Sequence, residues 1–111
     1  MTNEIKFIIQ GSAPEPYNVL FKKNGTNLTA SCTCPAGIIG QYCKHRIRII
    51  LGDPSGIISN NLSEVSEIQN WLCGSDVEKA LYLLREAEQQ FEEAKKQVSL
   101  SKKRLARVLR D

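Results

Sequence analysis

The chain has one histidine, one methionine and one tryptophan in 111 residues, and aromatic residues make up 6% of it. No pair of carboxylates, phosphate-cradling glycine loop or second imidazole is present to support acid–base or phosphoryl-transfer chemistry. The chain is therefore expected not to be an enzyme. Few aromatics also mean a modest, aliphatic core and few rings on which bases could stack. No stretch approaches the roughly 18 consecutive apolar residues of a membrane span. Met1-Thr-Asn-Glu-Ile-Lys6 lacks the basic and apolar regions of a secretory leader. These absences predict a cytoplasmic chain (nuclear in a eukaryote) with reduced thiols and with neither a membrane nor a small-molecule substrate as partner. Net charge is +3, which permits contact with nucleic acid without demanding it. One more absence matters: no glycine or proline follows Gly74, so nothing there breaks a helix.

Against this sparse background the metal-binding residue types are concentrated. Cys32, Cys34, Cys43 and His45 place three of the four cysteines and the only histidine within fourteen residues, as C-x-C, a spacer of eight, then C-x-H. A disulfide reading fails, because residues 32 and 34 are too close for an unstrained bridge. A catalytic Cys–His pair leaves two thiols unexplained. One tetrahedral zinc ion uses all four residues and has no open position, which makes it a structural staple rather than a site for activating water. Three thiolates and a neutral imidazole on Zn²⁺ leave a formal charge of −1. Lys44, Arg46 and Arg48 lie close by in sequence, either offsetting that charge, forming a basic surface, or simply standing in solvent.

Period-two patterning precedes the cluster. Ile5, Phe7 and Ile9 alternate as a half-buried strand does, and the segment from Gly11 to Pro16 breaks the strand. Tyr17, Val19 and Phe21 form a second apolar face. Asn24-Gly25 then predicts a type I′ hairpin turn, and Leu28, Ala30 and Cys32 continue the alternation on the return strand. Pro35-Ala-Gly37 reads as a turn. The run from Lys44 to Leu51 suits a short helix ended by Gly52-Asp53-Pro54, although its isoleucines also suit a strand.

Hairpin, C-T-C-P, spacer, C-K-H and aliphatic run, in that order over residues 17–51, resemble the SWIM zinc finger. The resemblance implies Cys32, Cys34, Cys43 and His45 as ligands of one structural zinc per chain, on a hairpin followed by a helix. It also implies a role in binding DNA or other proteins.

Downstream, Pro54-Ser-Gly56 and Asn60-Asn61 mark a linker, and Ser63 is placed to cap a short helix from Glu64 to Leu72. Val65, Ile68, Trp71 and Leu72 share a face of it. Trp71 reads as a core anchor in preference to a stacking platform, and Cys73 as a small buried hydrophobe. Ser75-Asp-Val-Glu78 forms a capping box, opening a helix that continues to the end of the chain. Val77, Leu84, Phe91, Val98 and Leu105 recur every seven residues, and Ala80, Ala87, Ala94, Ser101 and Val108 fall three later, which is a coiled-coil seam. Charge is sorted along it: six acids and two bases lie between Asp76 and Glu93, and seven bases with no acid between Lys95 and Arg110. Part of that sorting suits the helix dipole. It also suits an antiparallel homodimer, the alternatives being a hairpin with Glu64–Leu72 or a helix awaiting another partner.

The expected fold is thus α+β: a β-rich zinc-binding head over 1–56, a linker and short helix over 57–74, and a long amphipathic helix over 75–111. The expected function is binding nucleic acid, DNA or RNA, with Lys22, Lys23, Lys44, Arg46, Arg48, Lys102, Lys103, Arg104 and Arg107 as candidate contacts. The competing expectation is an adaptor or inhibitor, encoded by a phage or mobile element, acting on a protein that handles nucleic acid.

Overall fold

The computed structural model describes residues 3–110. Three strands, β1 (Glu4–Ile9), β2 (Tyr17–Asn24) and β3 (Asn27–Cys32), form an antiparallel sheet in the order β1-β2-β3. Four helices follow: α1 (Pro35–Ile38), α2 (Lys44–Ile50), α3 (Val65–Leu72) and α4 (Asp76–Arg110), with a 3₁₀ turn at Leu62–Glu64 just before α3. The protein is α+β. The chain divides after Glu78 into two compact units.

The period-two pattern sets the sheet's buried face. Ile5, Phe7, Ile9, Val19, Phe21, Leu28 and Cys32 all point inward. Their register puts Phe7 opposite Val19 and Ile5 opposite Phe21, with the Phe7 and Phe21 rings edge to face at 6.0 Å. Ile49 and Ile50 of α2 and Val65 and Ile68 of α3 complete the core, with α2 packing on both β3 and α3. Tyr17 and Ala30 are only half-buried.

Both long edges of the sheet are occupied. Along β1, the Gln10 N–H donates to the Gly56 carbonyl and the Ile58 N–H to the Ile8 carbonyl, each at 2.8 Å, and Ile57 bridges Ile9. The Ile8 N–H reaches Ser59 Oγ, and Asn61 Nδ2 reaches the Lys6 carbonyl. The segment expected to be a linker is therefore fastened to the edge strand. Along β3, the Leu28 N–H donates to Asp76 Oδ1 at 2.9 Å, and the Ala30 carbonyl accepts from Arg46 Nη1 at 3.1 Å.

Several local expectations are corrected. The hairpin turn is centred on Gly25 and Thr26, since Asn24 still pairs with Asn27. Gly25 has φ +61° and no non-glycine residue among those described has positive φ. That is the type II′ sign pattern, not I′, because a β-branched threonine resists the second positive φ that I′ requires. Pro35–Ile38 is a single helical turn instead of a simple loop, since proline suits a first helical position. Ser63 lies inside the 3₁₀ turn, and α3 starts at Val65 without a side-chain cap. Cys73 is exposed, not buried, because it lies past the last turn of α3, where the chain swings towards α4. Trp71 is half-buried.

One arm of the capping box at Ser75 is formed, the Glu78 N–H donating to Ser75 Oγ at 3.2 Å; the other reaches one residue further back, Glu78 Oε1 accepting from the Gly74 N–H at 3.0 Å. From there α4 runs for 35 residues, none of them fully buried. No helix of the described residues is long and apolar enough to cross a membrane.

Candidate metal centre

Each ligand position is delivered by a different local device. Cys32 is the last residue of β3. Immediately after it, the Thr33 N–H donates to the Asn18 carbonyl at 3.1 Å and Thr33 Oγ1 accepts from the Asn18 N–H at 2.9 Å. This clamp extends the β2–β3 pairing past Cys32 and holds the C-T-C knuckle against the sheet. Cys34 is the N-cap of α1, its Sγ accepting from the Gly37 N–H at 3.3 Å. Cys43 is the N-cap of α2, and His45 lies in the first turn of that helix. The spacer of eight residues is thus one tight helical turn and a short return.

The four side chains are buried and meet. Cys34 Sγ and Cys43 Sγ lie 3.4 Å apart, Cys43 Sγ and His45 Nδ1 3.6 Å, and Cys32 Sγ and His45 Nδ1 3.8 Å. All the ligand atoms fall within 4.8 Å of one another. A tetrahedral zinc with bonds of about 2.0–2.3 Å separates its ligand atoms by about 3.4–3.8 Å, so the cluster fits one structural zinc per chain, with His45 binding through Nδ1. Four protein ligands close the coordination shell.

The surroundings hold that arrangement. Gly37 passes so close to β3 that a Cβ there would overlap the Cys32 carbonyl oxygen, so only glycine lets α1 bring Cys34 back to Cys32. The Tyr17 ring lies 5.0 Å from the His45 ring, and the β1–β2 loop passes the far nitrogen of the imidazole at Gly11. Arg46 Nη1 donates to the Ala30 carbonyl and Arg46 Nη2 to the Gln41 carbonyl at 2.6 Å. That guanidinium joins the strand carrying Cys32 to the loop leading into Cys43, so it ties the two halves of the site together.

Thiol ionisation is divided by environment. Burial pushes Cys32 up to about 12, helped by hydrogen bonds that its thiol donates to Cys34 and Cys43, although the Cys34 N–H at 3.5 Å pulls the other way. Burial also resists ionisation of Cys43. There, however, the Arg46 backbone N–H and hydrogen bonds from Cys34, His45 and Cys32 prevail and bring it down to about 6.

The other candidate contacts fall in several places. Lys44 and Arg48 are exposed on α2; Lys44 borders the metal centre, whereas Arg48 helps hold the Asp53 carboxyl below its usual range, after hydrogen bonds from Ser55. Arg46 is engaged with backbone carbonyls. Lys22 and Lys23 lie at the turn end of the hairpin, away from Cys32, and Lys22 pairs with Glu4 at 3.7 Å. Lys102, Lys103, Arg104 and Arg107 are exposed near the end of α4. Tyr17, Gly37, Thr33 and the positioning role of Arg46 carry no motif that marks them in the sequence.

Fold and centre together define a small Cys₃His zinc-binding module built on an antiparallel hairpin. Residues 17–51, about a third of the chain, match the family model of the SWIM zinc finger. Nothing among curated proteins or solved structures matches the chain.

Proposed function

We propose that the zinc-bearing unit is a non-catalytic module that binds single-stranded nucleic acid, RNA or DNA, over the surface beside the metal. A closed, buried centre with four protein ligands is suited to holding shape, which leaves recognition to the residues around it. The observation that carries the reading is a groove of about 450 Å³ next to the centre, lined by Ser12, Tyr17, Pro35, Tyr42, Lys44 and His45 among others. Tyr42 is 66% exposed there. An exposed ring beside a cation is the pairing on which an unstacked base sits, with the cation on phosphate. Aromatics are few in this chain, and two of them border this groove.

Lys44 is the cation lining the groove, and one phosphate neutralised on a single strand gives a log–log salt slope of about −0.7. Fluorescence anisotropy of a labelled oligonucleotide against the zinc-loaded chain tests the reading. Tyr42→Ala is expected to weaken binding about tenfold or more, since stacking contributes ~1–3 kcal/mol per base. Lys44→Glu is expected to abolish it.

A second reading has its own support. Ile38 and Ile39, at the end of α1, are 72% and 66% exposed, and two bulky aliphatic side chains in solvent suit a protein partner. If no oligonucleotide binds even at low salt, the module is an adaptor. Ile38→Asp would then be the variant that removes the partner in a pull-down from the host.

A further inference from the structure

Among the described residues, the apolar side of α4 is exposed. Leu84, Phe91, Val98, Leu105 and Val108 are all exposed, from 37% at Leu84 to 64% at Val108. A single helix in water does not keep such a stripe by choice. Burying each exposed apolar position in a seam is favourable, so the stripe is an interface seeking an occupant.

Size and charge along the helix identify that occupant. One edge of the seam is bulky (Val77, Leu84, Phe91, Val98, Leu105) and the other mostly small (Ala80, Ala87, Ala94, Ser101, with Val108 last). A parallel pair sets like against like: Leu84 on the partner's Leu84 and Phe91 on the partner's Phe91, alternating with layers of alanine on alanine. Core layers of such unequal width cannot be filled at one helix separation. Reversing one helix sets the two edges against each other. Ala80 then meets the partner's Leu105, Leu84 the partner's Ser101, Ala87 the partner's Val98 and Phe91 the partner's Ala94, with Val77 on the partner's Val108 at the ends. Every layer between the end pairs joins a large residue to a small one.

Two further observations agree with that register. Val98, Ser101, Lys102 and Leu105, with Gln97 beside them, line a groove of about 330 Å³ on the helix surface. They are spaced as the four residues that receive one knob of a facing helix, and the register puts the partner's Leu84 into it. On the flanks, Glu88 falls between the partner's Lys95 and the partner's Lys102. The acidic half of each helix lies on the basic half of the other.

We propose that α4 pairs with a second copy of this chain as an antiparallel coiled coil, with Phe91 packed on the partner's Ala94 at its centre. The pairing does not depend on what the zinc-bearing unit binds.

Sedimentation equilibrium of the full-length, zinc-loaded chain tests it. A dimer mass is expected at tens of micromolar, and a monomer there overturns the proposal, whether the true occupant is another protein or none. Phe91→Asp is expected to give a monomer whose zinc content is unchanged. Orientation is read by charge exchange. Glu88→Lys should weaken the dimer about tenfold by setting three cations together on each flank, and adding Lys95→Glu and Lys102→Glu to the same chain should restore it. Glu88 is seven residues from Lys95, too far along one helix for the two to pair internally. A dimer indifferent to Glu88→Lys, or not rescued by the exchange, overturns the antiparallel arrangement.

Discussion

Arg46 separates a structural role from a binding one. Its guanidinium donates to two backbone carbonyls on either side of the metal centre, and hydrogen bonds to charged groups contribute ~1.5–3 kcal/mol each when one partner cannot turn to water. Half-burial discounts that figure. Arg46→Ala is expected to lower unfolding free energy by about 1–2 kcal/mol in urea titration, with the salt slope of any oligonucleotide binding unchanged. A second expectation concerns protons. Zinc takes Cys32 and Cys43 as thiolates, whereas at pH 7 the cysteine thiols of the metal-free, unfolded unit are mostly protonated, their ordinary pKa being about 8.5. Binding therefore releases protons, and affinity falls as pH is lowered. Calorimetry in two buffers of different ionisation enthalpy measures that release, and equal apparent enthalpies would contradict it. Of these details the sequence makes the ligand cluster legible, since four metal-binding residues in so short a span have few other uses. Arg46 is not legible: its partners are carbonyl oxygens, which every residue has, and only the fold decides which two it meets. Cys73 misleads for a related reason, because its burial depends on where the chain turns and not on its chemistry.

Strands, short helices and the long helix differ in how plainly they are written. Alternation marks β1, β2 and β3 because each buries one face, and slipping by one residue would turn Phe7 and Phe21 to solvent. Turn chemistry is less direct: Asn24-Gly25 signals a hairpin, but the ladder claims Asn24 and leaves Thr26 in the loop. The one-turn helix α1 escapes notice because four residues have no periodicity to show. At the start of α4 the signal is clear and its use is broader than capping. Ser75 Oγ accepts from the Glu78 N–H and donates to the Leu72 carbonyl at 2.7 Å, while Asp76 reaches Leu28 on β3. Ser75→Ala is expected to cost about 1–2 kcal/mol, the upper range for a lost N-cap, because Ser75 is buried and its partners are left unpaired. Urea denaturation followed by Trp71 fluorescence checks this, Trp71 being four residues upstream.

Metal removal should act unequally on the two units. Cys32, Cys34, Cys43 and His45 lie among the core residues of the first unit, so chelation or Cys34→Ser is expected to unfold that unit, since structural zinc contributes folding free energy directly. α4 draws no ligand from its own residues. In chelator, circular dichroism at 222 nm is expected to keep a helical signal that rises with protein concentration, while Trp71 fluorescence shifts to the red. Loss of all helix on chelation would show the two units to be one cooperative block.

A three-stranded sheet ordinarily offers two rows of unpaired backbone groups on which another chain can add a strand, and that templating is how small β proteins turn into fibrils. In this chain residues 56–61 run along β1, while Asp76 and the Arg46 guanidinium occupy groups on β3. Strand addition is thereby discouraged on both sides. Copies of the zinc-bearing unit can therefore meet at high concentration without their sheets merging.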